Sequence, residues 1–595
     1  MDGYKTITWR ETWSLIREDV VRKTLSDGKP LRFSAVLMTA LSPSVMPVIL
    51  FRFQYFFYHH HLFVLSKLIM WLSIVLFSVE IGSRCRAGGG LILGHANGIV
   101  IHDQVVIGRS CTLMHQCGLG LNYLPGIPEA EQFTVLEDDV FVGAGAKILG
   151  PCVIGQSSWI GMNAMVTGSF PERSVIAGVP ARRIRFREPG EDFAAEPLAR
   201  NYGCRAAQSV ADTLKLIRAD LEHRAHVDGK KFDRWCYVKL FLNPAALAVF
   251  VFRWAACFDR HRIGWLAKIF TTVNILAFKT DIGCKAEIKG GLVIGHANGV
   301  MINHQAKIGK NALFFHQNSV AIGPRKGLDP ESDRVVIGDN FIAGAGARIL
   351  GNIVIGNNCV AGLNAVVVRS APDNTVLAGI PARGVEKKSP PPRPEDIPAS
   401  GDPAVEEPPP TFRAALGLIR SDIDRRARME GKKGNAYYYL KVLLNPPAMA
   451  VVLFRLSRCF IRKGWYLPAK LLYVANNLFF TVEIQPGAVI GPGFVVAHAN
   501  SILIHDKTVI GKNCTLTLHT SITIGPREGM DPENDRVVIG DEALIGMGTR
   551  IIGNIRLGNS VVVGAGAVVT KSAPDGAVLV GVPAVNQKAF SGEKG

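Results

Sequence analysis

An aliphatic residue followed by glycine, or by a small or acidic residue, recurs every six positions through three long stretches of this chain. Residues 336–338, 349–351 and 354–356 show the pattern as Val-Ile-Gly, Ile-Leu-Gly and Val-Ile-Gly. A six-residue period with an aliphatic residue at one fixed position is typical of a hexapeptide β-helix, in which three hexads form one triangular coil. The aliphatic residues fill the shaft, and glycine supplies turn conformations that a Cβ would oppose. The sequence therefore predicts stacked β-helical coils.

The same module is repeated three times in the 595 residues. The phrase His-Ala-Asn begins at His95, His296 and His498, which stand 201 and 202 residues apart. The same interval separates three copies of Leu-Ile-Arg, each followed two residues later by an aspartate: Asp19, Asp220 and Asp422. The predicted fold class is mainly β with α, in three tandem modules that each place a helical segment before a parallel β-helix.

The repeat also predicts the domain boundaries. Module 1 is residues 1–186, with helices in 1–81 and the β-helix in 82–186. Module 2 is 206–386, divided into 206–282 and 283–386, and module 3 is 411–587, divided into 411–483 and 484–587. A linker is expected at 187–205, a tail at 588–595, and an extended spacer at 387–410, where proline and acidic residues are too frequent for a core.

The second helix of each module is predicted to begin at Ser42-Pro43, Asn243-Pro244 and Asn445-Pro446, because Ser or Asn is a good N-cap and Pro suits the first helical position. Residues 33–51 carry no charge for nineteen positions, which is near the length of a membrane span. Three interpretations stay open for these apolar helices: packing inside the protein, lying on a membrane surface, or crossing the membrane.

The formal charge of +18 indicates an acidic partner, such as anionic lipid or a phosphate-rich cofactor. The sequence contains no basic low-complexity run or aromatic RNA-binding motif, so we predict no nucleic-acid partner. The 11 cysteines lack paired spacing, which favours reduced thiols in a cytoplasmic protein. Peripheral contact with the inner face of an anionic membrane is the open alternative.

One loop interrupts the six-residue pattern in every module. Residues 323–334 and 525–536 share the form Gly-Pro-Arg…Asp-Arg, whereas the loop at 120–133 is two residues longer and lacks the Asp-Arg pair. Loops expelled from a regular scaffold tend to carry function. We therefore predict that the site of module 1 is altered.

Histidine is the usual general base for removing a proton from a hydroxyl near neutral pH. The best candidates are the three histidines that open the repeated phrase, and Asp103 and Asp506 are predicted to orient an imidazole. His115 and His316 recur twenty residues after the first histidine, where module 3 has Leu518. The alternative is that these histidines have a structural role and cap turns. Strict six-residue phasing would place the histidine that opens the phrase inside the shaft.

Three phrases resemble the hexapeptide-repeat acetyltransferases: residues 95–101, 143–150 and 177–182. The resemblance is closest to the serine acetyltransferase branch, which includes colanic-acid-type saccharide O-acetyltransferases. It implies a left-handed β-helix, trimers with acetyl-CoA in the groove between neighbouring shafts, and His95, His296 and His498 as catalytic base. It also implies a CoA groove lined by Gly143, Gly145, Lys147, Arg182, Gly344, Gly346, Arg348, Arg383, Gly546 and Arg550. Three modules on one chain would form an internal pseudo-trimer. A single chain would then supply all three β-helices that border the grooves.

Two departures from serine acetyltransferases bear on the acceptor. Those enzymes carry Asp directly before the first histidine, where this chain has Gly94, Gly295 and Ala497. Their second histidine follows an Asp-Arg pair, where this chain has Val335 and Val537. A saccharide hydroxyl is therefore the predicted acceptor and serine the alternative. Two alternatives belong to other classes: a non-catalytic scaffold and a zinc-dependent carbonic anhydrase-like protein. The histidine spacing of such anhydrases is missing from this sequence. We therefore predict no metal.

Overall fold

The computed structural model describes residues 7–121, 133–188, 209–233, 236–237, 243–322, 333–385, 409–432, 438–439, 442, 445–524 and 535–586. The chain forms two compact units. The first, Met1–Glu386, holds modules 1 and 2, and the second, Lys387–Gly595, holds module 3.

Helices precede the β-helix in every module. In module 1 they are α1 (Trp9–Ser26), α2 (Phe33–Ala40), α3 (Met46–His59) and α4 (Phe63–Phe77). In module 2 they are α5 (Val210–Val227), α6 (Pro244–Arg260) and α7 (Gly264–Phe278). In module 3 they are α8 (Phe412–Met429), α9 (Pro446–Arg462) and α10 (Tyr466–Phe480).

Within the described residues, fifteen strands follow the helices of each module. Module 1 contains β1–β15: Val79–Ile81, Arg86–Ala87, Ile92–Leu93, Ile99–Ile101, Val106–Ile107, Thr112–Leu113, Gly118–Leu121, Thr134–Leu136, Phe141–Val142, Lys147–Gly150, Cys152–Ile154, Trp159–Ile160, Met165–Val166, Ser174–Gly178 and Ala181–Phe186. Module 2 contains β16–β30: Asp281–Ile282, Glu287–Ile288, Val293–Ile294, Met301–Ile302, Lys307–Ile308, Leu313–Phe314, Ser319–Ala321, Val335–Ile337, Ile342–Ala343, Arg348–Leu350, Ile353–Ile355, Val360–Ala361, Val366–Val367, Val376–Gly379 and Ala382–Val385. Module 3 contains β31–β45: Val482–Ile484, Val489–Ile490, Val495–Val496, Ile502–Ile504, Thr508–Ile510, Thr515–Leu516, Ser521–Thr523, Val537–Ile539, Leu544–Ile545, Arg550–Ile552, Ile555–Leu557, Val562–Val563, Val568–Val569, Val578–Gly581 and Ala584–Asn586.

The strands of each module form three sheets of five, four and six strands, in which hydrogen-bonded neighbours are mostly three strands apart in the sequence. Pairing is parallel throughout, except where the last two strands of each module pair antiparallel. Val100 lies opposite Gly118, and Lys147 lies opposite Met165, so one coil takes 118 − 100 = 18 residues, or three hexads. The predicted triangular coil is confirmed.

Aliphatic side chains fill each shaft. Ile101, Leu119, Ile148 and Val166 lie above one another in successive coils, and each is at most 1% exposed. Burying a side chain of this size stabilises a fold by about 1.5–3 kcal/mol. This stack sets the coil geometry on which any surface site depends.

A buried ion pair joins two helices to the first coil of each module. In module 2 the Arg253 guanidinium donates to both carboxylate oxygens of Asp220, at 2.8 and 2.9 Å, and to the carbonyls of Ile288 and Lys289. Asp220 in turn accepts from the backbone N–H of Leu292 at 2.7 Å. The pairs Asp19–Arg52 and Asp422–Arg455 repeat this arrangement. The pair therefore fixes α5 and α6 against the mouth of the shaft.

The predicted helix starts are confirmed in two modules and wrong in the first. Asn243 and Asn445 cap α6 and α9, because their side-chain oxygens accept backbone N–H groups of the first turn. In module 1 the chain turns at Ser42, whose hydroxyl donates to the Thr39 carbonyl at 2.6 Å, and α3 begins at Met46. This turn divides the uncharged stretch 33–51 between two helices. None of the helices in the described ranges is both long and apolar enough to cross a membrane.

The internal trimer stays a prediction, and the mass of the particle tests it. We expect light scattering to report a single chain of 64.5 kDa, because three modules on one chain can supply all three walls of a trimer. A mass near three chains would mean that equivalent modules associate between molecules, and the prediction would be wrong.

Candidate active site

The turn that carries the repeated phrase leaves the shaft directly after β3. The Gly98 N–H donates to the Ser78 carbonyl at 3.0 Å, and Gly98 has a φ of +70°, which suits glycine. The His95 side chain in this turn is 40% exposed. His95 therefore does not fill the shaft and can be reached from solvent.

His95 of module 1 pairs with Asp281 of module 2. The distance from His95 Nδ1 to Asp281 Oδ2 is 3.1 Å, and Asp281 is the first residue of β16. When Nδ1 donates its proton to a carboxylate, the imidazole keeps Nε2 available as a base, and the carboxylate stabilises the charged ring. The site is thus made from two modules, and Asp281 is a residue that the sequence analysis did not select.

Side-chain amides of module 1 join the two shafts around this pair. Asn97 Nδ2 donates to the Lys279 carbonyl at 2.7 Å, and Gln116 Nε2 donates to the Gly299 carbonyl at 2.9 Å. Further along the shaft, Asn163 Nδ2 donates to the Gly346 carbonyl at 2.9 Å. These bonds hold the two walls of the site in register.

His115 lies behind His95, with ring centroids 5.6 Å apart. It is 2% exposed, and its Nε2 lies 2.6 Å from the Ser319 hydroxyl, which also accepts from Arg348 at 2.6 Å. Burial, followed by the positive charge of Arg348, holds the pKa of His115 well below its usual range. His115 is therefore neutral near pH 7, and its ring stands edge-on to the ring of His95.

Three charged residues predicted in the CoA groove are buried in the protein instead. Lys147 is 4% exposed, and its ammonium donates to the Gln116 carbonyl. Arg348 is 1% exposed and donates to the Gln317 carbonyl at 2.7 Å and to the Gln116 side chain. Arg550 repeats the pattern in module 3, with bonds to the His519 carbonyl and the Ser521 hydroxyl. Because these cations satisfy buried carbonyls, we assign them to the packing of the shafts.

The predicted glycines serve the stacking of the coils. A Cβ on Gly143, Gly344 or Gly546 would lie within 2.6–2.9 Å of the backbone of the next coil. Gly145 and Gly346 have φ values of +77° and +76°, and the Gly346 carbonyl is the acceptor from Asn163 described above. The turns at Gly145 and Gly346 lie at the contact between modules 1 and 2, and a CoA groove along them stays a prediction.

Arg182 is exposed at the end of the first shaft. It lies on β15, opposite Ala177, beside the exposed Arg183 and Arg185. Arg383 holds the matching backbone position opposite Ala378, and its side chain lies outside the described residues. The end of the module 1 shaft therefore presents a strand with three exposed arginines.

Asp103 does not orient His95. Its carboxylate accepts from the backbone N–H of Arg84 at 3.1 Å and from the Arg84 guanidinium at 3.4 Å, because the two residues lie on successive coils. Asp506 pairs with its neighbour His505, at 2.8 Å from Nδ1, and this contact lowers the pKa of Asp506. Both acids thus have partners in their own shaft.

His296 and His498 stand on the equivalent turns of modules 2 and 3, and both are partly exposed. The His296 ring lies 5.9 Å from the ring of His316, which is 3% exposed, so modules 1 and 2 share the arrangement of a reachable histidine before a buried one. Module 3 has the buried Leu518 and His519 at this place. Each of the three inserted loops lies mostly outside the described residues.

Comparison with known proteins gives consistent results. Residues 536–571 match the family described as bacterial transferase hexapeptide (six repeats). The serine acetyltransferase of Bacillus pumilus is 32% identical over 167 residues, which are 28% of this chain and 74% of that protein. The Mycobacterium tuberculosis enzyme is 33% identical over 168 residues, 28% of this chain and 71% of that protein. The crystal structure of Neisseria gonorrhoeae serine acetyltransferase aligns at 27% identity with a TM-score of 0.27, covering 30% of this chain and 67% of that one.

Helices followed by a left-handed parallel β-helix in each of three tandem modules, with a histidine turn beside the shaft, define a hexapeptide-repeat transferase. The chain belongs to the serine acetyltransferase family of these proteins and is an acyltransferase.

Proposed function

We propose that this protein transfers an acetyl group from acetyl-CoA to a hydroxyl group, with His95, His296 and His498 as general bases. The observation that carries the proposal is the contact between the partly exposed His95 and Asp281 across the boundary between modules 1 and 2. A histidine backed by a carboxylate is suited to removing a hydroxyl proton at neutral pH. Membership of the serine acetyltransferase family supports the reaction class.

In the proposed reaction His95 Nε2 takes the proton of the acceptor hydroxyl as its oxygen attacks the thioester carbonyl. The bond from the carbonyl carbon to sulfur then breaks, and the imidazolium returns its proton to the CoA thiolate. Asp281 keeps Nδ1 protonated and stabilises the imidazolium that forms between these steps. No covalent intermediate with the protein is needed.

The positive surface at the end of the module 1 shaft suits a phosphate-bearing donor. Arg182, Arg183 and Arg185 are all exposed on one short strand, and guanidinium groups bind phosphate oxygens in pairs of hydrogen bonds. The net charge of +18 adds a favourable long-range field. We propose that Arg182 contacts the phosphates of acetyl-CoA in the groove between the shafts.

A saccharide hydroxyl is the proposed acceptor. Serine acetyltransferases carry Asp before the first histidine, and here the space beside Gly94 is filled by the Met114 side chain, with its sulfur 2.3 Å from where a Cβ would be. In module 2 the Phe315 ring lies 3.1 Å from the corresponding point beside Gly295. An acidic side chain that could hold the amino group of serine is thus replaced by apolar contacts.

Serine is the second candidate acceptor, because the curated relatives quoted above are named serine acetyltransferases. Titration calorimetry with acetyl-CoA tests the shared part of both proposals and should show saturable binding that CoA competes away. No heat of binding at millimolar acetyl-CoA would contradict the proposed function with either acceptor.

Asp281 is expected to position His95. Removing the other two candidate bases leaves only the site between modules 1 and 2, so that the role of Asp281 can be measured. In a protein with His296→Ala and His498→Ala, adding Asp281→Asn should lower kcat about tenfold or more, because an amide no longer fixes the imidazole tautomer. The KM for acetyl-CoA should change little. Steady-state kinetics of thiol release measures both values.

Asp103→Asn is the matched control, since Asp103 is a partly exposed carboxylate of module 1 that bonds Arg84. It should leave kcat in the same background unchanged. An inactive His296→Ala/His498→Ala protein, or equal kcat with and without Asp281→Asn, would show that the contact between His95 and Asp281 is not catalytic.

A further inference from the structure

The last helix before the β-helix in each module, which is α4, α7 or α10, carries an exposed apolar stripe at matching positions. We call these side chains the helix stripes. In α4 they are Val64, Leu68 and Leu72, which are 69%, 46% and 42% exposed. In α7 they are Trp265, Ile269 and Val273, which are 69%, 48% and 43% exposed, and in α10 they are Leu467 and Leu471, which are 62% and 54% exposed. The four-residue spacing puts each stripe on one helix face.

The opposite face of each helix is already packed. In α4 the buried residues include Ser66, Met70 and Ile74, and α4 packs against α3. The C-terminal ends of α4 and α7 are joined, because the Lys279 ammonium donates to the Val75 and Leu76 carbonyls at 2.9 Å each. The stripes of α4 and α7 therefore lie at the same end of the first unit, and the packing within that unit leaves them uncovered.

The helices that carry the stripes have only positive charges. None of the sequences of α4, α7 and α10 contains Asp or Glu, and each contains one lysine beside its stripe: Lys67, Lys268 and Lys470. Further basic residues stand just before α7 and α10: Arg260, Arg262, Arg462 and Lys463. A basic border around an apolar face complements a negatively charged lipid surface.

Aromatic residues stand where each stripe begins. Phe63, Trp265, Trp465 and Tyr466 are 49%, 69%, 52% and 72% exposed. Tryptophan and tyrosine favour the boundary between lipid headgroups and acyl chains, because one end of the ring system is apolar and the other polar. Each helix has 15 residues, so it is suited to lying in this boundary.

We propose that the helix stripes dock on an anionic lipid bilayer, so that the protein acts as a peripheral membrane protein. A second copy of this chain fits the surface less well, because a symmetric contact would place lysine-bearing faces against each other. The proposal does not depend on the acetyl-transfer function, since binding to lipid can be measured without turnover.

Flotation with vesicles tests the proposal. The full chain should float with vesicles of phosphatidylcholine containing about 30% phosphatidylglycerol, and binding should weaken as salt screens the charges. The stripe variant Leu68→Gln/Ile269→Gln/Leu471→Gln should bind at least tenfold more weakly. A second variant, Lys67→Gln/Lys268→Gln/Lys470→Gln, should lose binding mainly on anionic vesicles.

The matched control replaces three exposed apolar residues of the shafts, Val354→Gln/Leu544→Gln/Val562→Gln, which are 55%, 36% and 38% exposed in the native protein. It should float like the native chain. Failure of the native chain to float at low salt would overturn the proposal, as would equal losses in the stripe and control variants. A native chain that self-associates through the stripes, with the stripe variant reduced to single chains and neither bound to lipid, would show that the occupant is a second copy. Acetyl-CoA turnover of the same variants separates loss of docking from loss of activity.

Discussion

Replacing His95, His296 and His498 together by alanine is expected to lower kcat by about a hundredfold or more. A positioned general base contributes about 10²–10⁴-fold to a rate, and alanine leaves no group that can take the hydroxyl proton. The three histidines are partly exposed on turns, so the shafts should remain folded. Steady-state thiol release from acetyl-CoA measures the loss, and circular dichroism confirms the fold.

The control for this variant removes two histidines that lie on or next to helices, away from the turns. His226→Ala/His261→Ala changes two exposed side chains, on α5 and just after α6, and should leave kcat unchanged. Single replacements then show how much each of the three turns contributes to turnover. Because the loop of module 1 is longer, we expect these contributions to differ. Full turnover in the triple variant would exclude these histidines as bases.

Arg253→Met is expected to destabilise the helices of module 2 by about 3–5 kcal/mol, because it leaves the buried Asp220 carboxylate without its partner. The carboxylate would still accept backbone N–H groups of the first coil, but its charge would be uncompensated. Hydrogen exchange of α5 and α6 in the full chain measures the local free energy of unfolding. Asp220→Leu/Arg253→Met should recover part of the loss, because neither charge is then left alone.

Arg218→Met is the matched control, since the Arg218–Glu222 pair lies on the surface of α5 with side chains 66% and 44% exposed. Solvent screens a surface ion pair, so this change should have little effect on exchange. Equal effects of the two substitutions would contradict a structural role for the buried pair.

The six-residue pattern predicted the fold because it is local. Each hexad fixes a strand and a turn, and the 18-residue coil follows from three of them. The Asn243 and Asn445 caps were predictable for the same reason. The sequence also marked Asp220 as a repeated position, but only the fold shows that helix packing brings it to Arg253.

The contact between His95 and Asp281 at the candidate site was harder to predict from the sequence. Asp281 is 186 residues from His95 and belongs to the next module, so the search for an orienting acid near each histidine selected Asp103 and Asp506 instead. An acidic residue at the same position in all three modules, as Glu80, Asp281 and Glu483, was the available signal. The family resemblance implied that Lys147 and Arg348 line a CoA groove, and only their burial against carbonyls assigns them to packing.

Incubation of the full chain with acetyl-CoA and a hydroxyl acceptor tests the central claim most directly. Thiol release that depends on the acceptor, together with an acceptor that gains the mass of one acetyl group, is the predicted result. Parallel reactions with saccharides and with serine identify the acceptor, and we expect the saccharide to react. Acetyl-CoA that stays intact with every hydroxyl acceptor, in a folded protein, would contradict the assignment as an O-acetyltransferase.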